Sequence, residues 1–288
     1  MGVQALSLVL TAAVLHALWN LAAKQVAIDG VTFVYLYVVG SVVIWLPVAV
    51  VWVLVTGERP SWTWLYAAAL TAAFHTVYQL VLQRGYERGD LNLVYPLARG
   101  TGPLVTFLFA VTVLGERPSA VAVIGVLAVV TGVLVISTGG RAGEHHGSAR
   151  AGVLWGVATG VAIAAYTLWD SHSVTALDVP PVPYFVLGLI LQLPGLTVLL
   201  GRRHAGLRTA WRQTRGPVIT VAALSPLAYL LVLRALELAP VSLVAPARES
   251  SIVVGALLGW WILEEPAPGR RLVGAVVVLA GIAALVAG

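Results

Sequence analysis

Four charged residues interrupt long apolar runs: Arg99, Asp170, Arg248 and Glu249, with His16 and His75 as further ionisable groups inside such runs. The two arginines and two acids sum to zero. That balance suits a buried polar site, because a lone charge at a bilayer centre costs about 3 kcal/mol or more on insertion scales. Arg248 and Glu249 are adjacent, so on a helix they diverge by about 100° and pair poorly with each other. The balance therefore predicts partners across the molecule: Arg99 facing Glu249, or Asp170 facing Arg248. One outcome is a structural ion pair that ties helices together. The other is a binding site in which the Arg248 guanidinium grips a substrate carboxylate with paired hydrogen bonds, and Arg99 is its counterpart or a gate partner.

Helical spacing gathers more polar groups around these charges. His16, Asn20 and Lys24 recur every four residues with Trp19 beside them, and His75 and Gln79 do so beside Tyr78. Tyr166 shares a face with Asp170, and Ser225 with Tyr229. If these faces converge they enclose a cavity with aromatic walls, Trp19, Tyr78, Tyr95, Trp169 and Tyr229, and a few polar groups, suited to a small amphipathic solute. Glu249, Asp170 and His16 are the coupling or gating candidates, since a buried carboxylate or imidazole can exchange a proton as its surroundings change. Each residue also has a plainer role. The histidines could bond a neighbouring carbonyl, the aromatic residues could anchor at the membrane interface, and Pro96, Pro103, Pro226 and Pro246 could simply kink helices. Glu116, Glu264 and Glu265 sit at connections and read as capping or loop-packing groups.

The elements that must position these residues are membrane spans. The chain of 288 residues is 59% hydrophobic and 10% charged, with a mean hydropathy of +0.94, outside the range of soluble domains. Runs of about 20 apolar residues follow one another almost end to end. They predict spans at 3–26, 31–56, 61–82, 91–113 and 119–138, then 151–171, 181–200, 216–236, 241–262 and 270–287. The first run, from Val3, has no basic residue before it and reads as a true span rather than a removed signal. There is no cysteine, which excludes disulfides, thiol nucleophiles and thiolate metal sites. Neither a G-x-S-x-G nor an H-E-x-x-H motif occurs, and the paired His145 and His146 carry no metal assignment, so no metal or cofactor is expected. The net charge of +5 comes from arginines between spans, where they set topology and meet anionic lipid rather than nucleic acid.

The two sets of five spans resemble each other. "LVYPLARG" (93–100) matches "LVAPARES" (243–250), placing Pro96 over Pro246 and, after a slip of one residue, Arg99 over Arg248. "LGERPSAVAVIG" matches "LEEPAPGRRLVG", with Glu116 over Glu265, and "LWN" (18–20) matches "LWD" (168–170). Three matches in the same order indicate an internal repeat, giving units 1–140 and 151–288 joined by a polar linker at 141–150. An odd number of spans per unit inverts the second copy in the bilayer, an arrangement that suits alternating access. Lys24, Arg84, Arg88, Arg141, Arg150, Arg202, Arg203, Arg208, Arg212, Arg215, Arg270 and Arg271 fall in odd-numbered connections, against Arg59, Arg117 and Arg234 in even ones. The positive-inside rule then puts both termini outside.

The stretch "GDLNLVYPLARGTGPLVTFLFAVTVLGERPSAVAVIGVLAVVTGVLVI" resembles the EamA-type repeat of the drug/metabolite transporter superfamily, and "LHALWNLAAK" resembles the first helix of one bacterial branch of it. The second repeat departs from the pattern, with "ESSIVV" lacking a counterpart of Pro103. The resemblance implies an all-α polytopic membrane protein, ten transmembrane helices as two inverted five-helix repeats around a central cavity. It also implies a secondary transporter of the bacterial cytoplasmic (inner) membrane, exporting an amino acid or related metabolite. Its partners would be a small-molecule substrate and the lipid bilayer, and ten helices can enclose a cavity as a monomer. The alternatives are an uncoupled facilitator with the same cavity and a non-transporting membrane protein, either an intramembrane enzyme or a scaffold.

Overall fold

The computed structural model describes residues 1–89, 91–137, 149–263 and 269–288. Among them the regular elements are helices: α1 (Val3–Lys24), α2 (Gly30–Thr56), α3 (Trp62–Arg88), α4 (Leu91–Thr112), α5 (Ala120–Ser137), α6 (Ala149–Thr175), α7 (Pro181–Leu200), α8 (Leu207–Leu236), α9 (Val241–Ala247), α10 (Ser250–Leu263) and α11 (Gly269–Ala287), with a 3-10 turn at Gly201–Gly206. Backbone polar groups have no water to bond in hydrocarbon, so apolar runs of this length satisfy them internally as helices. Among the described residues, 8 helical segments are long and apolar enough to cross a membrane; one of these, Pro181–Leu236, contains both α7 and α8, and Ala120–Ile136 is a shorter apolar helix. The chain is a polytopic membrane protein.

Local chemistry sets several boundaries. Asp29 accepts from the Thr32 backbone N–H at 3.0 Å and starts α2, and Gly57, at φ 71°, ends it. Some helices outrun the apolar windows: α3 continues to Arg88 rather than 82, α8 begins at Leu207 rather than 216, and α6 reaches Thr175. In α3 and α8 the extensions are rich in arginine and glutamine, good helix formers whose stems carry a helix past the hydrocarbon, and Gly89 and Gly206 bound them.

The expected continuous span 241–262 is broken. After Pro246 the bonding tightens, with Glu249 N–H donating to Pro246 O at 3.0 Å, Ser251 N–H to Arg248 O at 3.2 Å and Ile252 N–H to Glu249 O at 2.9 Å. These three-residue bonds close a turn that separates α9 from α10 and holds Arg248 and Glu249 at the break. Arg141, His145, His146, Glu264, Glu265 and residues 141–148 of the expected linker lie outside the described residues.

Helices from the two halves pack in exchangeable pairs. α1 lies on α8 as α6 lies on α3, α4 lies on α6 as α10 lies on α1, and α2 meets α7 and α5 meets α11. α5 and α11 approach each other closely. A Cβ on Gly132 would lie 2.7 Å from Gly274 O, and one on Gly281 would lie 2.7 Å from Gly125 O. Because 125 meets 281 and 132 meets 274, these two helices run antiparallel. The Met1 amino group bonds Leu285 O, which sets the start of α1 beside the end of α11. At that end of the molecule the core is tightly filled, with Ala5, Ala67, Ala110, Val174, Leu233 and Val244 all buried. At the opposite end, Asn20, Gln83, Tyr86 and Tyr95 are exposed.

Any side chain at Gly132 must push the α11 backbone away, an overpacking cost of about 1–3 kcal/mol. Gly132→Val should therefore lower the thermal midpoint of the purified protein. Gly255→Ala, where an added Cβ meets nothing within 4 Å, should leave it unchanged or raise it.

Candidate functional site

Between the packed end and the open end lies a cavity of about 430 Å³, walled by α1, α2, α3, α4, α6, α7 and α8 and by residues 245–251 around the helix break. Eleven of the expected residues line it: His16, Trp19, Asn20, His75, Tyr78, Gln79, Tyr95, Arg99, Tyr229, Arg248 and Glu249. The spacing on α1 and α3 accounts for this, since one helical face carries each four-residue series inward.

Arg99 faces Glu249, as the charge balance predicted. Its Nη1 lies 3.5 Å from Glu249 Oε2, with the side chains 19% and 8% exposed, so the pair spans the two halves in a partly dry setting. Arg99 Nη2 is also 3.3 Å from His16 Nε2. A guanidinium only donates, so His16 Nε2 accepts and its ring proton sits on Nδ1. Tyr95 supports the same guanidinium with its ring, centroid 5.8 Å from Cζ. Glu249 Oε2 has no hydrogen-bond partner beyond this ion pair.

Arg248 is held differently. Its Cζ lies 5.3 Å from the Tyr229 ring centroid, and it interacts with the Tyr166 hydroxyl. No carboxylate lies within ion-pair distance of it among the described residues. The alternative pairing with Asp170 is not formed, because Tyr229 stands between the two, with its ring under Arg248 and its hydroxyl donating to Asp170 Oδ2. Asp170 is fully buried and lies behind the cavity wall. Thr71 and Tyr184 hydroxyls each donate to its Oδ1 at 2.5 Å. Three helices thus supply donors to one carboxylate. Neighbouring His75 has Nδ1 3.0 Å from Thr71 O and stacks on Tyr166 with centroids 4.3 Å apart. It therefore makes the carbonyl bond allowed for it while still lining the cavity.

Trp169 corrects the expected aromatic wall. Its indole donates to Ala67 O at 3.0 Å, and its ring lies among Tyr66, Phe74 and His172, away from the cavity. Asp170 and Trp169 are neighbours about 100° apart on α6, so only one of them can point toward Tyr229. Lys24 does not line the cavity. Glu116 does cap: its two oxygens accept from Val241 and Ser242 N–H at 3.2 Å each, tying the α4–α5 connection to the start of α9.

Sequence spacing missed Tyr184 and Thr71. Thr71 lies four residues before His75 on the same face of α3, a signal the series His75–Gln79 could have been extended to include. Tyr184 stands in "PVPYF" with no polar partner at helical spacing, and nothing local marked it. Inside the cavity, Trp19 Nε1, Gln79 Oε1, Thr167 Oγ1 and Glu249 Oε2 are buried without hydrogen-bond partners. Each such group costs about 1–3 kcal/mol unless something satisfies it. A polar guest or water in the cavity would do so.

Comparison with known proteins bears on the whole chain. The model of the EamA-like transporter family matches residues 3–138 and again 150–287. A solved structure titled "Crystal structure of protein" superposes with a TM-score of 0.73 at 18% identity, covering 99% of this chain and 96% of that one; at that identity the likeness speaks for the fold alone. Among curated proteins none matches. The chain belongs to the EamA-like transporter family, present as two repeats.

Removing one member of a buried pair leaves the other uncompensated, whereas removing both does not. Arg99→Met should therefore destabilise the protein more than Arg99→Met combined with Glu249→Gln. After discounting for the partial exposure of Arg99, the difference should be about 1–2 kcal/mol in a double-mutant thermal-unfolding cycle.

Proposed function

We propose that this member of the EamA-like transporter family is a secondary carrier for a small amphipathic metabolite bearing a carboxylate, an amino acid or a derivative of one. The observation that carries this reading is Arg248, a guanidinium in the cavity wall with aromatic support and no acidic partner among the described residues. A cation left without an acid in a cavity of this size invites an anionic guest. Glu249 Oε2 and Gln79 Oε1, both buried acceptors without hydrogen-bond partners, would receive an amino or other N–H group of the same solute. Trp19, Asn20, Tyr78, Tyr95 and Tyr229 would form its walls, with Arg99 and His75 as flanking polar groups.

Ten spans in two inverted repeats, 1–140 and 151–288 with a linker at 141–150, complete the reading. The antiparallel approach of α5 to α11 and the exchangeable helix pairs support it. The cavity mouth lies beside the arginine-rich odd-numbered connections. With those connections in the cytoplasm of a bacterium and both termini outside, the protein faces inward. Transport then proceeds by rocking, which opens the packed end and closes the mouth. Export is the direction the family resemblance suggests. Glu249 and Asp170 are the coupling carboxylates and His16 a gating partner, since Glu249 and His16 share Arg99, and Asp170 bonds a tyrosine that touches Arg248.

An uncoupled facilitator has one observation in its favour: Glu249 is engaged by Arg99 and Asp170 by three hydroxyls, so neither carboxylate is idle. The two readings differ in whether a gradient of protons drives accumulation.

Cells overproducing wild type should enrich a carboxylate-bearing solute in the medium, and cells carrying matched levels of Arg248→Ala should not. A medium indistinguishable from that of empty-vector cells would count against export. In proteoliposomes loaded with that solute, an imposed proton gradient should drive wild-type transport against the solute gradient, and Glu249→Gln or Asp170→Asn should lose that drive. Identical behaviour of all three proteins would leave the facilitator.

A further inference from the structure

The cavity uses two arginines, but the densest basic cluster lies elsewhere. Arg202, Arg203, Arg208, Arg212 and Arg215 fall within fourteen residues, and no acidic residue occurs from Gly201 to Leu236. All five side chains are exposed. Arg203 is 3.5 Å from Asp29; the other four have no ion-pair partner among the described residues.

Their arrangement on α8 is ordered. At about 100° per residue, Arg208, Arg212, Arg215 and the exposed Ile219 fall within an arc of about 60°. The opposite face carries Ala210, Thr214, Val218 and Val221, all buried against the protein. One stripe therefore looks outward along its whole length. It changes from guanidinium to hydrocarbon between Arg215 and Ile219, about 6 Å along the axis. Ile219 is 49% exposed and Trp211, at the edge of the stripe, is 39% exposed. An outward apolar residue on a membrane span touches lipid chains, so the arginines about one to three turns beyond it stand at the depth of lipid headgroups, where tryptophan also favours sitting.

We propose that this stripe, Arg208, Arg212 and Arg215 flanked by Trp211 and Arg202, is a binding site for anionic phospholipid headgroups. The three guanidiniums span about 10 Å along the helix, enough to engage the phosphodiesters of neighbouring lipids or of one lipid with two phosphates. Arginine suits this role because its planar fork meets phosphate oxygens in pairs. Bound lipid would hold the first two turns of α8 in the headgroup layer. It would also brace Tyr229 farther along the same helix, in the wall beneath Arg248.

The test uses the full-length protein in mild detergent, titrated with phosphatidylglycerol or phosphatidylcholine, with bound lipid read by native mass spectrometry. Each basic residue near an anionic lipid surface is worth about a fivefold preference, so the triple variant Arg208→Gln/Arg212→Gln/Arg215→Gln should weaken phosphatidylglycerol binding about a hundredfold. The corresponding lysine triple should retain most of it, and Gln at Arg59, Arg117 and Arg234 should not reduce it. Wild type should bind phosphatidylglycerol far more tightly than phosphatidylcholine, and less tightly at high salt. Equal binding of the two lipids, or unchanged phosphatidylglycerol binding by the glutamine triple, would overturn the proposal. Should the glutamine triple fail to fold, salt-insensitive binding by wild type and the lysine triple would overturn it as well. Displacement of the lipid by millimolar inorganic phosphate would assign the stripe to a soluble anion instead.

Discussion

The arrangement of this protein depends on what an arginine requires when it is taken out of water. A guanidinium cannot shed its proton, so it must be met by a carboxylate, by aromatic faces or by water. Arg99 is met by Glu249, His16 and Tyr95, drawn from α4, α1 and the break between α9 and α10. That one cluster joins the two halves of the molecule. It also accounts for the break between α9 and α10, since the tightened turn after Pro246 holds Glu249 where Arg99 can reach it. Arg248, on the same turn, rests on Tyr229 rather than on an acid. The two arginines that look equivalent in sequence therefore differ in what they have left to offer a guest.

Asp170 meets the same requirement by another route. Buried carboxylates need donors on several sides, and the hydroxyls of Thr71, Tyr184 and Tyr229 supply them from α3, α7 and α8. Tyr229 is common to both clusters, with its hydroxyl on Asp170 and its ring under Arg248. The packed end and the cavity thus share a side chain. Through these contacts α3, α6, α7 and α8 gather around Asp170. At the periphery, α5 and α11 come together through backbone and small residues, because helices in lipid gain from close packing rather than from hydrophobic exclusion.

Much of this was legible in the sequence. Apolar length alone marked the chain as all-helical and polytopic, because a helix must cover the hydrocarbon to satisfy its backbone. The match of "LVYPLARG" to "LVAPARES" found the two arginines, and four-residue spacing brought His16, Asn20, His75 and Gln79 to one cavity. Tyr184 and the displacement of Trp169 were not legible. "LWN" and "LWD" look alike, yet Asn20 stands exposed at the mouth while Asp170 is fully buried and Trp169 turns outward. Asn20 lies at the open end of the molecule and Asp170 inside the packed core, so the two motifs meet different surroundings.

The sequence by itself determined that the chain is a polytopic helical membrane protein, that it falls into two related repeats, and which few charges had to find partners. These follow from local composition and from a neutrality that any fold of the chain must respect. Only the tertiary structure decided which arginine takes the glutamate, which is left to the cavity, and that three hydroxyls rather than an arginine surround Asp170. Pairing depends on distances between helices remote in the chain, and closing one end of the molecule breaks the equivalence that the repeat creates.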